Sequence, residues 1–119
     1  MRIDIRGNSQ LTSPAIKEHA RRRLQFAVGR FQARILSVSV RCSDANGPRG
    51  GRDKICKIEA RLQGHHLLFI EEAGADLYAA IDRACERLGQ AVRRDVERRQ
   101  DRYRRAAPLF GWDNWGAVR

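Results

Sequence analysis

Lysine is scarce in this 119-residue chain: of 24 basic residues only Lys17, Lys54 and Lys57 are lysines, and the rest are arginine. Long apolar runs are absent. The longest strongly apolar stretch, residues 67–70, falls far short of the roughly 20 residues that a membrane-spanning helix needs, so no membrane partner is expected. The opening Met1-Arg2-Ile3-Asp4 has no apolar segment behind its charge, hence no signal-peptide pattern, and a cytoplasmic location is expected. Cysteines are few and odd in number: Cys42, Cys56 and Cys85, with no Cys-x-x-Cys spacing. That excludes a disulfide framework and predicts buried, reduced thiols. His65-His66 beside these cysteines fails as a metal site, because adjacent strand residues point to opposite faces and the spacing fits no common zinc site. A catalytic cysteine would need a base and an orienting partner, and neither can be nominated. No enzyme activity, cofactor or small-molecule substrate is therefore expected. Aromatics make up 7% of the chain, and no strand carries the aromatic-rich motif by which an RRM stacks single-stranded bases.

What is present is positive charge. Against the 24 basic residues stand 14 acidic ones, a net charge of +10. So large a charge on a small domain costs stability through self-repulsion, and a polyanionic partner is the simplest reason to carry it. Arginine's planar fork of donors suits phosphate oxygens and stacks on bases. The 42% apolar content is enough for one domain with a modest core and no staples.

The pattern of elements reads β-α-β-β-β-α. Ile3 and Ile5 alternate with Arg2, Asp4 and Arg6, a half-buried strand ending at Gly7-Asn8. Ser13-Pro14 is a helix start, an N-cap serine followed by proline where its missing N–H costs nothing. That helix runs to about Phe31, with Ile16, Ala20, Leu24, Ala27 and Phe31 as its buried stripe. Lys17, Arg21, Arg22 and Arg30 lie off the stripe. Leu36, Val38, Val40 and Cys42 form the inward side of a second strand. Cys56, Ile58, Ala60 and Leu62 form that of a third, and the Asn46-Gly47-Pro48-Arg49-Gly50-Gly51 loop joins the two as a hairpin. Cys42 and Cys56 share inward parity at similar distances from the turn. A fourth strand spans about His66 to Glu71. The second helix starts near Asp76, with Leu77, Ile81, Ala84, Leu88, Val92 and Val96 as its apolar stripe and Arg83, Arg87, Arg93, Arg94 and Arg98 off it. Its last turns, mostly charged, are expected to project beyond the core. Two amphipathic helices on one face of a four-stranded sheet make a two-layer α+β domain, placed at residues 1–105. Residues 106–119 form an aromatic tail with Phe110, Trp112 and Trp115.

Three stretches resemble the ribosome hibernation-promoting factors, also called ribosome-associated inhibitor A or sigma-54 modulation proteins. They are the opening strand, the Ser13-Pro-Ala-Ile-Lys-Glu-His19 helix running on to Arg23-Leu24, and Asp76-Leu-Tyr-Ala-Ala-Ile-Asp82 followed by Glu86-Arg87-Leu88 and Arg93-Arg94. The last is the most specific, and the likeness covers about residues 1–100. It implies a fold similar to the double-stranded-RNA-binding domain. It also implies binding to the small ribosomal subunit, in the cleft where messenger RNA and tRNA meet the decoding centre, with both basic helices facing 16S rRNA. Lys17 and Arg23 match basic positions of the family's first helix, Arg87 and Arg94 those of its second, and Tyr78, Asp76 and Asp82 also match. Asp76 is expected to cap its helix and Tyr78 to pack with its hydroxyl satisfied. The sequence departs from the family at Phe26 and Gln90, where the family usually has a lysine and an arginine. Arg21, Arg22, Arg98 and Arg99 are placed to compensate. The loop at residues 46–51 is longer and richer in glycine than usual. The long C-terminal dimerisation domain of some family members has no counterpart here, so no self-dimerisation domain, and no pairing of ribosomes through one, is expected.

The resulting expectation is a translation-silencing hibernation factor that contacts RNA through Lys17, Arg21, Arg22, Arg23, Arg30, Arg83, Arg87, Arg93, Arg94 and Arg98. Two alternatives stand beside it: a general structured-RNA binder or chaperone, and a protein-interaction module acting through the Trp112/Trp115 tail. The arginines also have a blander reading as a solvated face, in which Glu86, Asp95, Glu97 and Asp101 supply exposed i, i+3 and i, i+4 partners.

Overall fold

In the computed structural model the described residues are 1–7, 12–44, 54–64 and 66–110, with side chains described through residue 102. The order of elements is β1 (Arg2–Gly7), α1 (Pro14–Val28), a 3-10 segment (Gly29–Arg34), β2 (Ile35–Asp44), β3 (Lys54–Leu62), β4 (His66–Gly74) and α2 (Leu77–Phe110). The four strands form one sheet in the order β1-β2-β3-β4. β1 runs parallel to β2, as the α1 crossover requires, and the other neighbours are antiparallel. The two-layer α+β architecture is the one the periodicities predict.

The local causes are equally plain. Ser13 Oγ accepts from the Ile16 N–H at 3.2 Å and Pro14 opens α1. Asp76 Oδ1 accepts from the Tyr78 N–H at 3.1 Å and so caps α2. Gly64 adopts φ +85° in the turn between β3 and β4, where a side chain would meet the Arg99 guanidinium at 2.7 Å. Ile16, Ala20, Leu24 and Val28 of α1 and Leu77, Ile81, Leu88 and Val92 of α2 cover Val38, Val40, Ile58, Ala60 and Leu62 of the sheet. All are withdrawn from water, the dominant favourable contribution to folding.

Three expectations need correction. The first α-helix ends at Val28 rather than near Phe31, and the chain then tightens into the 3-10 segment. Leu36 is 47% exposed, and Ile35 is buried in its place. The ladder with β3 slips between Ile35 and Ser37, and one extra residue reverses the alternation before it. β4 also extends three residues past Glu71, to Gly74. The register sets Cys42 opposite Cys56, both buried and free. Facing each other across the strands, the two thiols shift in opposite directions: the Cys56 side chain lowers the Cys42 pKa, and Cys42 raises that of Cys56, with burial raising Cys56 further.

Helix α2 has 34 residues, about 50 Å at the usual rise. Val96 is the last buried residue among those whose side chains are described, and nothing from Glu97 through Arg102 is buried. Over residues 97–102 the helix therefore adds nothing to the core. Its backbone runs on to Phe110, past residue 105, the expected end of the domain. Trp112 and Trp115, the side chain of Phe110 and the loop at residues 46–51 lie outside the described residues.

Candidate nucleic-acid interface

The two helices cross closely where Gly89 of α2 meets Ala27 of α1. A Cβ at residue 89 would lie 3.0 Å from the Ala27 carbonyl oxygen. Above this crossing opens a groove of about 380 Å³. Arg23, Phe26 and Arg30 form one wall, and Glu86, Gln90 and Arg93 the other. Three arginines against one acid leave it net positive.

An acid on α2 organises the α1 wall. Asp82 Oδ1 accepts from His19 Nε2 at 2.6 Å and ion-pairs with Arg23 Nε at 3.2 Å. His19 also meets the edge of the Tyr78 ring, with centroids 4.8 Å apart. Tyr78 is 38% exposed, and its hydroxyl has no hydrogen-bond partner among the described residues, against expectation. Arg23 then lies over Phe26, 5.6 Å from the ring centroid, and Arg30 over Phe31 at 4.8 Å. Both distances suit cation–π attraction.

The arginines of α2 divide between two sides rather than making one continuous face with α1. Arg93 faces the groove. Arg87, Arg94 and Arg98 lie on the flank toward β4, as does Arg83, whose guanidinium reaches Gly74. Arg87 ion-pairs with Glu72 and donates to the Glu71 carbonyl at 3.2 Å, so part of its charge is used inside the fold. Arg98 stands 3.9 Å from Asp95. Lys17, Arg21 and Arg22 are exposed on α1. Together with Arg93 and Arg94, they form no ion pair among the described residues.

Several features were not read from the sequence. Asp95 sits on the helix surface by charge pattern, yet it is only 3% exposed. It accepts from His66 Nδ1 at 3.0 Å and pairs with Arg99 Nε at 3.2 Å, fastening α2 to β4 and the Gly64 turn. Phe26 is 83% exposed; its place off the apolar stripe was the available signal. The sheet's outer face also shows Phe69, 68% exposed, among Arg41, Lys57, Glu59 and Glu71. The histidine and cysteines once weighed as metal ligands are otherwise engaged: His66 with Asp95, Cys42 with Cys56. Burial pushes Cys85 up to about 12. Among the described residues, no helix is long and apolar enough to cross a membrane.

Residues 3–100 match the family described as sigma 54 modulation protein / S30EA ribosomal protein. Among solved structures, the chain is similar to the N-terminal domain of Protein Y from Thermus thermophilus, with 34% identity and a TM-score of 0.65, over 79% of this chain and 98% of that one. It is also similar to a ribosomal subunit interface protein from Coxiella burnetii, with a TM-score of 0.67 over 82% of this chain and 99% of that one. At 18% identity, this second likeness is one of fold. No curated protein matches the chain.

Proposed function

Because the chain belongs to the sigma 54 modulation protein / S30EA ribosomal protein family, we propose that it is a ribosome-associated hibernation factor that docks its inter-helix groove on 16S rRNA of the small subunit. The observation that carries the reading is the groove itself. Arg23 of α1, Arg30 of the 3-10 segment and Arg93 of α2 converge on it, and Arg23 ion-pairs with Asp82. Lys17, Arg21 and Arg22 extend the charge along α1, while Arg83, Arg87, Arg94 and Arg98 extend it along the flank of α2.

Such an arrangement suits folded RNA. Phosphates are dense and at fixed positions there, and neutralising them releases counterions. Contacts of this kind fix position without reading sequence, so recognition is by shape. The activity is steric. A protein seated in the messenger RNA and tRNA path blocks initiation by occupying it, and no bond is made or broken.

The test is charge reversal on one wall at a time. A folded Arg30→Glu/Arg93→Glu variant should lose binding to purified small subunits, with a shallower salt dependence. Reversal at Arg94 and Arg98 reports on the β4 flank separately. If the folded Arg30→Glu/Arg93→Glu variant binds with wild-type affinity and salt slope, the groove is not the interface.

A further inference from the structure

We infer that Phe26 is a stacking platform for one unpaired nucleobase, set among arginines that take the adjoining phosphates. This rests on reading the groove as an RNA interface and adds what the groove recognises. A single exposed apolar side chain is ordinary on a protein surface. Phe26 is not such a case, for three reasons.

First, its neighbours are polyanion-binding groups. Arg23, three residues before it on α1, and Arg30, four after it in the 3-10 segment, line the groove with it, and Arg93 faces them from α2. One acid, Glu86, lies among them. An apolar peptide would have to desolvate these cations, whereas a nucleotide brings a π-face and a phosphate together.

Second, a cation already stands beside the ring. Asp82 pairs with Arg23 at 3.2 Å, and the Arg23 guanidinium lies 5.6 Å from the Phe26 centroid. The residue nevertheless remains 83% exposed.

Third, the two rings of this wall differ. Phe31 is half-buried beneath Arg30 and belongs to the core margin, whereas Phe26 is open. Unstacked bases in loops and bulges are what proteins take on aromatic side chains and arginine planes, whereas a continuous duplex offers no free π-face. Phe26 therefore gives a shape-reading surface a preference for RNA with a splayed base.

The experiment compares wild type, Phe26→Ala and Phe26→Trp on two RNA hairpins, one with a single bulged 2-aminopurine and one fully paired. The same proteins are then titrated onto small ribosomal subunits. Wild type should bind the bulged hairpin more tightly and change its 2-aminopurine fluorescence. Phe26→Ala should lose about five- to 150-fold in affinity for it, the range of one base–aromatic stack, together with the fluorescence change. Phe26→Trp should keep both, and affinity for the paired hairpin should be the same for all three proteins. Equal affinity of wild type and a folded Phe26→Ala for the bulged hairpin overturns the proposal, as does failure of wild type to bind either RNA. If the bulged hairpin is bound through Phe26 while small subunits are not bound at all, stacking stands and the ribosomal reading falls.

Discussion

Replacing Asp95 with alanine should destabilise the domain by about 2–3 kcal/mol, although the residue sits in a charged helix that looks solvent-facing by sequence. Its carboxylate is 3% exposed and is shared by His66 at 3.0 Å, Arg99 at 3.2 Å and Arg98 at 3.9 Å. Breaking a fully buried ion pair costs roughly 3–5 kcal/mol, because the orphaned charge stays desolvated. Here the orphans can partly rehydrate, since the His66 and Arg99 side chains are 43% and 27% exposed, and the figure is reduced accordingly. In a domain this small, each kcal/mol moves the melting midpoint by about 4–8 °C. The assay is urea unfolding followed by circular dichroism, with Glu97→Ala as the control. Glu97 is exposed, and its loss should stay within about 0.5 kcal/mol. If Asp95→Ala matches the control, Asp95 does not fasten α2 to β4, and the bland reading of this helix as a solvated charge ladder was right.

Two further outcomes follow from packing and burial. Gly89→Val should cost about 1–3 kcal/mol in the same assay, because even a bare Cβ would stand 3.0 Å from the Ala27 carbonyl oxygen, and a stability equal to wild type would contradict the close crossing. Cys85 should make the fold sensitive to alkali. Its pKa is raised from 9.0 to about 12 by burial, so above about pH 9 the unfolded chain ionises while the folded one does not. Stability complete below that pH is then lost as pH rises toward 12, at up to about 1.4 kcal/mol per unit, and Cys85→Ala should flatten the slope measured between about pH 8 and 11.

Much of the fold was legible because period and capping agree at each element. Strict alternation in β3, the Ser13-Pro14 start and the 3.6-residue stripe of α2 each specify one structure, and each forms. Legibility failed where a single residue depends on a partner distant in sequence. Leu36 reads as inward until the bulge at Ile35 turns it out. Asp95 reads as surface until His66, 29 residues earlier, is brought beneath it. The same holds for the site. Composition pointed to a polyanionic partner only as an expectation, and of the arginines named from sequence most are exposed. Their division between the groove and the β4 flank, however, depends on which neighbour each side of α2 meets. Arg87 and Arg93, six residues apart, fall on different sides of α2 by helical rotation, and what each meets there, Glu72 for Arg87 and the groove for Arg93, is set by the fold. Phe26 looked like the loss of a phosphate contact, and only its exposure beside Arg23 gives it another role.

The central claim is tested most directly by co-sedimentation of the protein with small ribosomal subunits on sucrose gradients, at low and moderate salt, with and without bound tRNA. The account predicts binding that weakens steeply with salt and is displaced by tRNA. Binding that tRNA leaves unchanged would contradict occupancy of the tRNA path, and no binding at either salt would contradict the ribosomal role itself.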